Sequence, residues 1–137
     1  MRYFFILIIA IASFDCSPRL SPDHNWGERR WVLVEMKGVP VQLSGGRRDA
    51  YINFEVAEKR FTGNGGCNHI SGNYTLDKNE ISFGEVISTK MACPDIEFEN
   101  TFLSTLNSIT RYEVKGDDLI LKRNRDVLLV LRSRYSY

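Results

Sequence analysis

The sequence predicts an α+β domain, a curled antiparallel sheet or partly closed barrel of about eight short strands with one late helix. Three observations carry that expectation. Short apolar runs with a two-residue alternation recur between Trp31 and Leu131. Gly-, Asn- and Asp-containing turn signals separate them. One segment, from Pro94 to about Ile109, changes to a helical period.

Residues 1–15 read as an export leader. Met1-Arg2-Tyr3 sets one positive charge before an apolar stretch from Phe4 to Phe14, the length of a secretory h-region and short of the roughly 20 residues that span a bilayer. A buried helix or strand of the domain is the bland alternative; the arginine flank and the extreme N-terminal position favour export. Cys16 follows directly and resembles the lipid-modification site of bacterial lipoproteins, although Phe14-Asp15 stand where that box carries a small residue. Ala10-Ile11-Ala12 reads as an ordinary A-x-A cleavage site. Lipidation at Cys16, simple secretion and an uncleaved anchor are therefore all open. Residues 16–30, rich in Pro, Ser and charge, read as a tether, and residues 31–132 as the single domain.

Composition narrows the function classes. The formal charge is +1, and no basic stripe with interleaved aromatics tracks a phosphate backbone, so nucleic acid is not an expected partner. The Arg125, Arg132 and Arg134 scatter reads as a solvated face. With Cys16 set aside for lipid, Cys67 and Cys93 remain as a candidate pair in an oxidising compartment. A bridge would close a loop of about 26 residues, worth roughly 3 to 4 kcal/mol by loop-closure entropy. Two buried thiols acting as small apolar residues are the alternative.

Trp31-Val32-Leu33-Val34 opens the domain as a strand apolar on both faces. Lys37-Gly38 and Pro40 turn the chain towards a short strand at Val41-Gln42-Leu43, and Ser44-Gly45-Gly46 breaks it. Tyr51 to Val56 alternates, with Ile52, Phe54 and Val56 inward. Ala57-Glu58-Lys59 turns into Arg60-Phe61-Thr62. Ile70, Tyr74 and Leu76 share a face across Gly72, and Asp77-Lys78-Asn79 leads to Ile81 and Phe83. In the helical segment Phe98, Phe102, Leu106 and Ile109 form one apolar stripe. Pro94 suits the first helical position, and Asp95, Glu97 and Glu99 complement the helix dipole. Three further strands, Tyr112-Glu113-Val114, Leu119-Ile120-Leu121 and Val127 to Leu131, follow around Gly116-Asp117 and Asn124-Arg125-Asp126.

Two cysteine-bearing segments stand out, Gly63-Asn64-Gly65-Gly66-Cys67-Asn68 and Thr89-Lys90-Met91-Ala92-Cys93-Pro94. The glycines mark a tight bend or bulge. Asn68 suits hydrogen bonding to bent backbone, Thr89 and Lys90 end a strand, and Met91 fills an irregular gap. The scaffold reading competes with one in which both segments line a shared pocket. Cys67-x-His69 with Cys93 offers three zinc ligands, but a fourth is not apparent because His24 lies in the tether, so no metal is expected. Cys67 with His69 as base lacks an orienting partner, and a disulfide would silence it. Asn73-Tyr74-Thr75 matches a glycosylation sequon at a predicted strand, a chance match.

The ordered series Trp31-x-Leu33, Gly38-x-Pro40, Phe61-x-Gly63, Gly66-Cys67-Asn68-x-x-Ser71-Gly72-x-Tyr74, Ile81-x-Phe83, Ser88-Thr89-Lys90-Met91-Ala92-Cys93, Glu99-x-x-Phe102-Leu103 and Leu119-x-Leu121 resembles the META domain family, also called the HslJ type. The resemblance covers nearly all of Trp31 to Leu131. It implies a small antiparallel α+β fold, commonly exported and often lipid-anchored, with no established enzymatic activity, no agreed active site and no cofactor. Members are linked to heat shock, antibiotic tolerance or, in some parasites, virulence. The expected protein is thus a non-enzymatic module of the bacterial cell envelope. Its expected place is the outer membrane facing the periplasm, or otherwise the periplasm or exterior. A lipid anchor would be its membrane contact and another envelope protein its partner. The rival is a small apolar-ligand binder using a barrel mouth lined by Tyr51, Tyr74 and Phe61.

Overall fold

The computed structural model describes residue 27 and residues 29–45 and 48–135. Its strands are β1 (Arg29–Met36), β2 (Val39–Pro40), β3 (Tyr51–Glu55), β4 (Arg60–Asn64), β5 (His69–Asp77), β6 (Glu80–Phe83) and β7 (Ile87–Ser88). The helix α1 (Ile96–Leu106) follows, then β8 (Arg111–Lys115), β9 (Asp118–Arg123) and β10 (Asp126–Tyr135). Antiparallel neighbours run β10-β9-β8-β6-β5-β4-β3-β1, and β1 also pairs with β10, from Arg29↔Tyr135 to Met36↔Leu129. Eight strands therefore close a barrel, while β2 pairs on β1 and β7 on β5. The barrel is closed rather than partly open, and the fold is mostly β.

Two-residue hairpins build much of it. Met36 pairs with Val39 across Lys37 and Gly38, both at positive φ (50° and 78°), the geometry whose twist matches that of paired strands. The other tight turns, around Lys78, Gly116 and Asn124, fall where the turn signals stand in the sequence. One seam is thin: β6 and β8 share a single ladder pair, Glu80↔Arg111. The helix lies in the connection that crosses this seam.

The barrel interior is filled. Trp31, Leu33, Ile52, Phe54, Phe61, Tyr74, Ile81, Leu119, Leu121, Leu129 and Leu131 are buried together, and α1 adds Phe102 and Leu106, with Ile109 just past its end. Phe54 meets Tyr74 edge to face at 5.1 Å, and Phe61 meets Phe83 likewise at 5.3 Å, contacts favoured by the ring quadrupoles. Gly72 exists for this packing, since a Cβ there would lie 2.8 Å from the Phe61 ring.

Several sequence expectations need correction. The short strand is Val39–Pro40, and residues 41–44 belong to a loop. A register irregularity between Leu33 and Glu35 of β1 frees the Val34 carbonyl to accept from Val41 N at 2.9 Å, which anchors that loop. Val56 is exposed because β3 ends at Glu55. Pro94 lies outside the helix, whose N-cap is Asp95. Strand β1 begins at Arg29, inside the expected tether, and β10 runs to Tyr135, beyond residue 132. The expected leader and Cys16 lie outside the described residues.

Phe102 and Trp31 are each fully buried, so truncation removes large side chains from a filled space. Phe102→Ala and Trp31→Ala are each expected to lower unfolding free energy by about 3–5 kcal/mol in denaturant titrations. A loss below about 1 kcal/mol would place that residue outside the core.

Candidate functional site

Strand β4 runs into the glycine-rich loop, and Asn64 shapes its bend: its Oδ1 accepts from Gly66 N at 2.8 Å, and its Nδ2 donates to the Cys67 carbonyl at 3.3 Å. Gly66 sits at φ +113°, a region that L side chains rarely adopt. Gly65 is required for a different reason. A Cβ there would lie 2.7 Å from Glu99 Cγ, so only glycine lets the helix bring this side chain against the loop.

Glu99, in the first turns of α1, is 2 % exposed. Its Oε2 accepts from the backbone amides of Asn68 (2.7 Å) and Cys67 (3.2 Å). Its Oε1 accepts from Asn68 Nδ2 (2.8 Å) and Ser88 Oγ (3.2 Å). Burial pushes the carboxyl pKa up, but these hydrogen bonds outweigh it and hold Glu99 below the usual carboxylate range. Asn68, itself buried, passes the connection on: its Oδ1 accepts from Thr89 Oγ1 (3.0 Å) and from Met91 N (2.7 Å). Thr89 N also donates to the His69 carbonyl at 3.0 Å.

The two cysteine segments thus meet. Cys67 and Cys93 are bridged, with Cα atoms 6.3 Å apart, inside the usual range for a disulfide. Beside the bridge opens a cleft of about 770 Å³. One wall is β2 with the loop after it, carrying Val39, Val41, Arg48 and Ala50. The other is the approach to α1, with Met91, Pro94, Asp95 and Phe98. The first wall is pinned by Val41 N to Val34 O, by Leu33 N to Ala50 O (2.9 Å), and by Asp49, whose Oδ1 accepts from Ser44 N (2.7 Å) and Ser44 Oγ (2.8 Å).

The residues singled out in the sequence divide into two sets. Gly66, Cys67, Met91 and Cys93 line the cleft, and Asn68 and Thr89 belong to the hydrogen-bonded node that joins their two segments. Trp31, Gly72 and Tyr74 serve the barrel interior. Met91 is not a gap-filler: it is 54 % exposed and borders the cleft. Tyr51, Tyr74 and Phe61 line no common mouth. Tyr74 and Phe61 are in the core, and Tyr51 lies under the Arg30 guanidinium at 4.3 Å. His69 is exposed on β5, and among the described residues no three His, Cys, Asp or Glu side chains are grouped to hold a metal ion.

Glu99 stands in the first turn of α1, where its charge complements the helix dipole as the sequence suggests, but its burial and its contacts with the glycine-rich loop are what sequence reasoning missed. The signal was its phase: three residues before Phe102 and seven before Leu106, it shares their buried face.

A closed eight-stranded antiparallel barrel with one braced helix and an external cleft defines a small mostly-β barrel domain. The META domain family model matches residues 24–135, and the chain belongs to the META domain family. No curated protein shows significant similarity to it. Among solved structures it is similar to a protein from Burkholderia xenovorans determined by NMR, at 21% identity and a TM-score of 0.67, with 92% of this chain and 100% of that one covered. It is also similar to a DUF4847-family protein from Bacteroides vulgatus, at 18% identity and a TM-score of 0.59, covering 82% of this chain and 96% of that one. At these identities the likeness is one of fold.

Glu99→Gln replaces an acceptor oxygen with a donor facing groups that already donate. It is expected to cost about 3 kcal/mol of stability at neutral pH in denaturant titrations. Because the folded pKa is lowered, the carboxylate contributes stability above its ordinary value and loses it as pH falls through the folded one. Wild-type stability should therefore drop as pH falls below about 4, and the Gln variant should lack that component.

Proposed function

We propose that the protein is a non-enzymatic binding module of the cell envelope, anchored through lipid on Cys16, and that it takes a small apolar ligand in the cleft beside the Cys67–Cys93 bridge. The carrying observation is that the interior is filled with side chains, whereas both cysteine segments border an external, largely apolar cleft. Its volume falls in the range of small-molecule sites, and its two methionines, Met36 and Met91, give an adaptable apolar lining.

Export accords with the bridge, since disulfides persist in oxidising compartments. The small-ligand reading moves from the barrel mouth to the outside of the barrel. A role in stress or antibiotic tolerance would follow from what the cleft sequesters or senses.

Val39 and Met91 are exposed at 65 % and 54 %, so charging them should leave folding nearly intact. The double variant Val39→Glu, Met91→Glu is expected to bind a neutral apolar fluorophore such as N-phenyl-1-naphthylamine at least about tenfold more weakly than wild type, roughly 1.4 kcal/mol. Equal binding would exclude the cleft as the site. In cell fractionation, Cys16→Ser should move the protein from the membrane to the soluble fraction; unchanged membrane association would overturn the anchor.

A further inference from the structure

Resting on the reading that the cleft binds a small apolar ligand, the geometry points to its chemical class. We propose that the cleft takes a single-chain zwitterionic amphiphile of the lysophosphatidylethanolamine type, its hydrocarbon chain on the apolar lining and its headgroup between Arg48 and Asp95.

Five backbone amides along the cleft are already committed within the protein. Val41 N is used by Val34 O, Ser44 N by Asp49, Gly66 N by Asn64, Cys67 N by Glu99 and Met91 N by Asn68. The β2 edge is two residues long and includes Pro40, which has no N–H to donate. An added strand would find almost no partners there. A hydrocarbon chain needs none, and the apolar side chains of Met36, Val41, Met91 and Phe98 provide its surface.

The charges on the walls select the head. Arg48, on the loop wall, and Asp95, at the approach to α1, both line the cleft. Neither makes an ion pair or side-chain hydrogen bond among the described residues, and Asp95 gives no side-chain cap to its helix. Asp49, the other charged residue among the described ones of the lining, is buried and committed to Ser44. Among the described lining residues, then, one cation and one anion are left to complement a phosphate and an ammonium on the same headgroup. A purely anionic head would meet Asp95, and a purely cationic one Arg48. Gln42, exposed on the loop wall, makes no side-chain hydrogen bond among the described residues and suits the free hydroxyl of a glycerol backbone.

The test uses the full chain carrying Cys16→Ser, titrated calorimetrically below micelle-forming concentrations with lauroyl lysophosphatidylethanolamine, lauroyl lysophosphatidylglycerol and dodecyltrimethylammonium. The zwitterion is expected to bind about tenfold tighter than either singly charged amphiphile. Arg48→Gln and Asp95→Asn should each weaken it several-fold while leaving binding of N-phenyl-1-naphthylamine unchanged. Equal affinity for all three amphiphiles, insensitive to both substitutions, would overturn the headgroup assignment and leave the apolar cleft standing. Binding only to vesicles or micelles would also overturn it, in favour of adsorption to a lipid surface. Failure of the neutral fluorophore to bind wild type would instead remove the cleft reading on which the proposal rests.

Discussion

The carboxylate of Glu99 is an anion taken out of water with no cation paired to it among the described residues. Removing such a charge from solvent costs several kcal/mol unless its lone pairs are met in good geometry. Here four donors meet them: two consecutive backbone amides, an amide side chain and a hydroxyl. Its place in the first turns of α1 adds the positive end of the helix dipole. The donors come from the loop after β4 and from β7, so this one side chain fixes the helix against two separate parts of the barrel wall. Helix position, loop conformation and cleft wall are three consequences of satisfying one buried charge.

Asn68 makes that arrangement specific. Its side chain donates to Glu99 and accepts from Thr89 and Met91, while its backbone N–H donates to Glu99 and its carbonyl accepts from Gly65 N at 2.8 Å. An aspartate would place a second negative charge against Glu99, and a leucine would leave buried donors unmet. The disulfide joins the same two segments a second time, one residue before Asn68 and two residues after Met91. A covalent tie acts mainly by restricting the unfolded chain, whereas the hydrogen bonds set native geometry. The two are complementary rather than redundant.

What the sequence made legible follows from range. The hairpins at Lys37-Gly38, Lys78-Asn79, Gly116-Asp117 and Asn124-Arg125 are encoded by turn residues within two positions, with Gly38, Gly116 and Asn124 themselves at positive φ. The helix is encoded by a stripe spaced over a few turns. Closure of the barrel is not, because β1 and β10 meet across nearly the whole domain and nothing local in either strand names the other. A pocket shared by the two cysteine segments is one of the readings the sequence leaves open, but its loop wall is not legible, because that wall depends on the irregularity at Val34 in the pairing of β1 with β10. The dipole role of Glu99 is legible, but its burial is not, because a charge on a helix is usually solvated and only its phase with Phe102 marks the buried face. Met91 misled in the opposite direction, as an apolar residue inside a motif that reads as core.

The rigidity of the cleft has a consequence for binding. A site whose walls are held by internal hydrogen bonds pays little ordering entropy when occupied, and both walls here are held at several points. The same bonds consume the polar groups that would recognise a polar ligand, so the node that preorganises the cleft also makes it apolar. Selectivity is then left to the few side chains the scaffold does not use, Arg48, Asp95 and Gln42. These can change in a related sequence without touching Glu99, Asn68 or the bridge, because the scaffold's bonds and the ligand's contacts are made by different atoms. A domain built this way can hold one architecture while the chemistry of its occupant varies, as expected when function resides in a site carried on a fold.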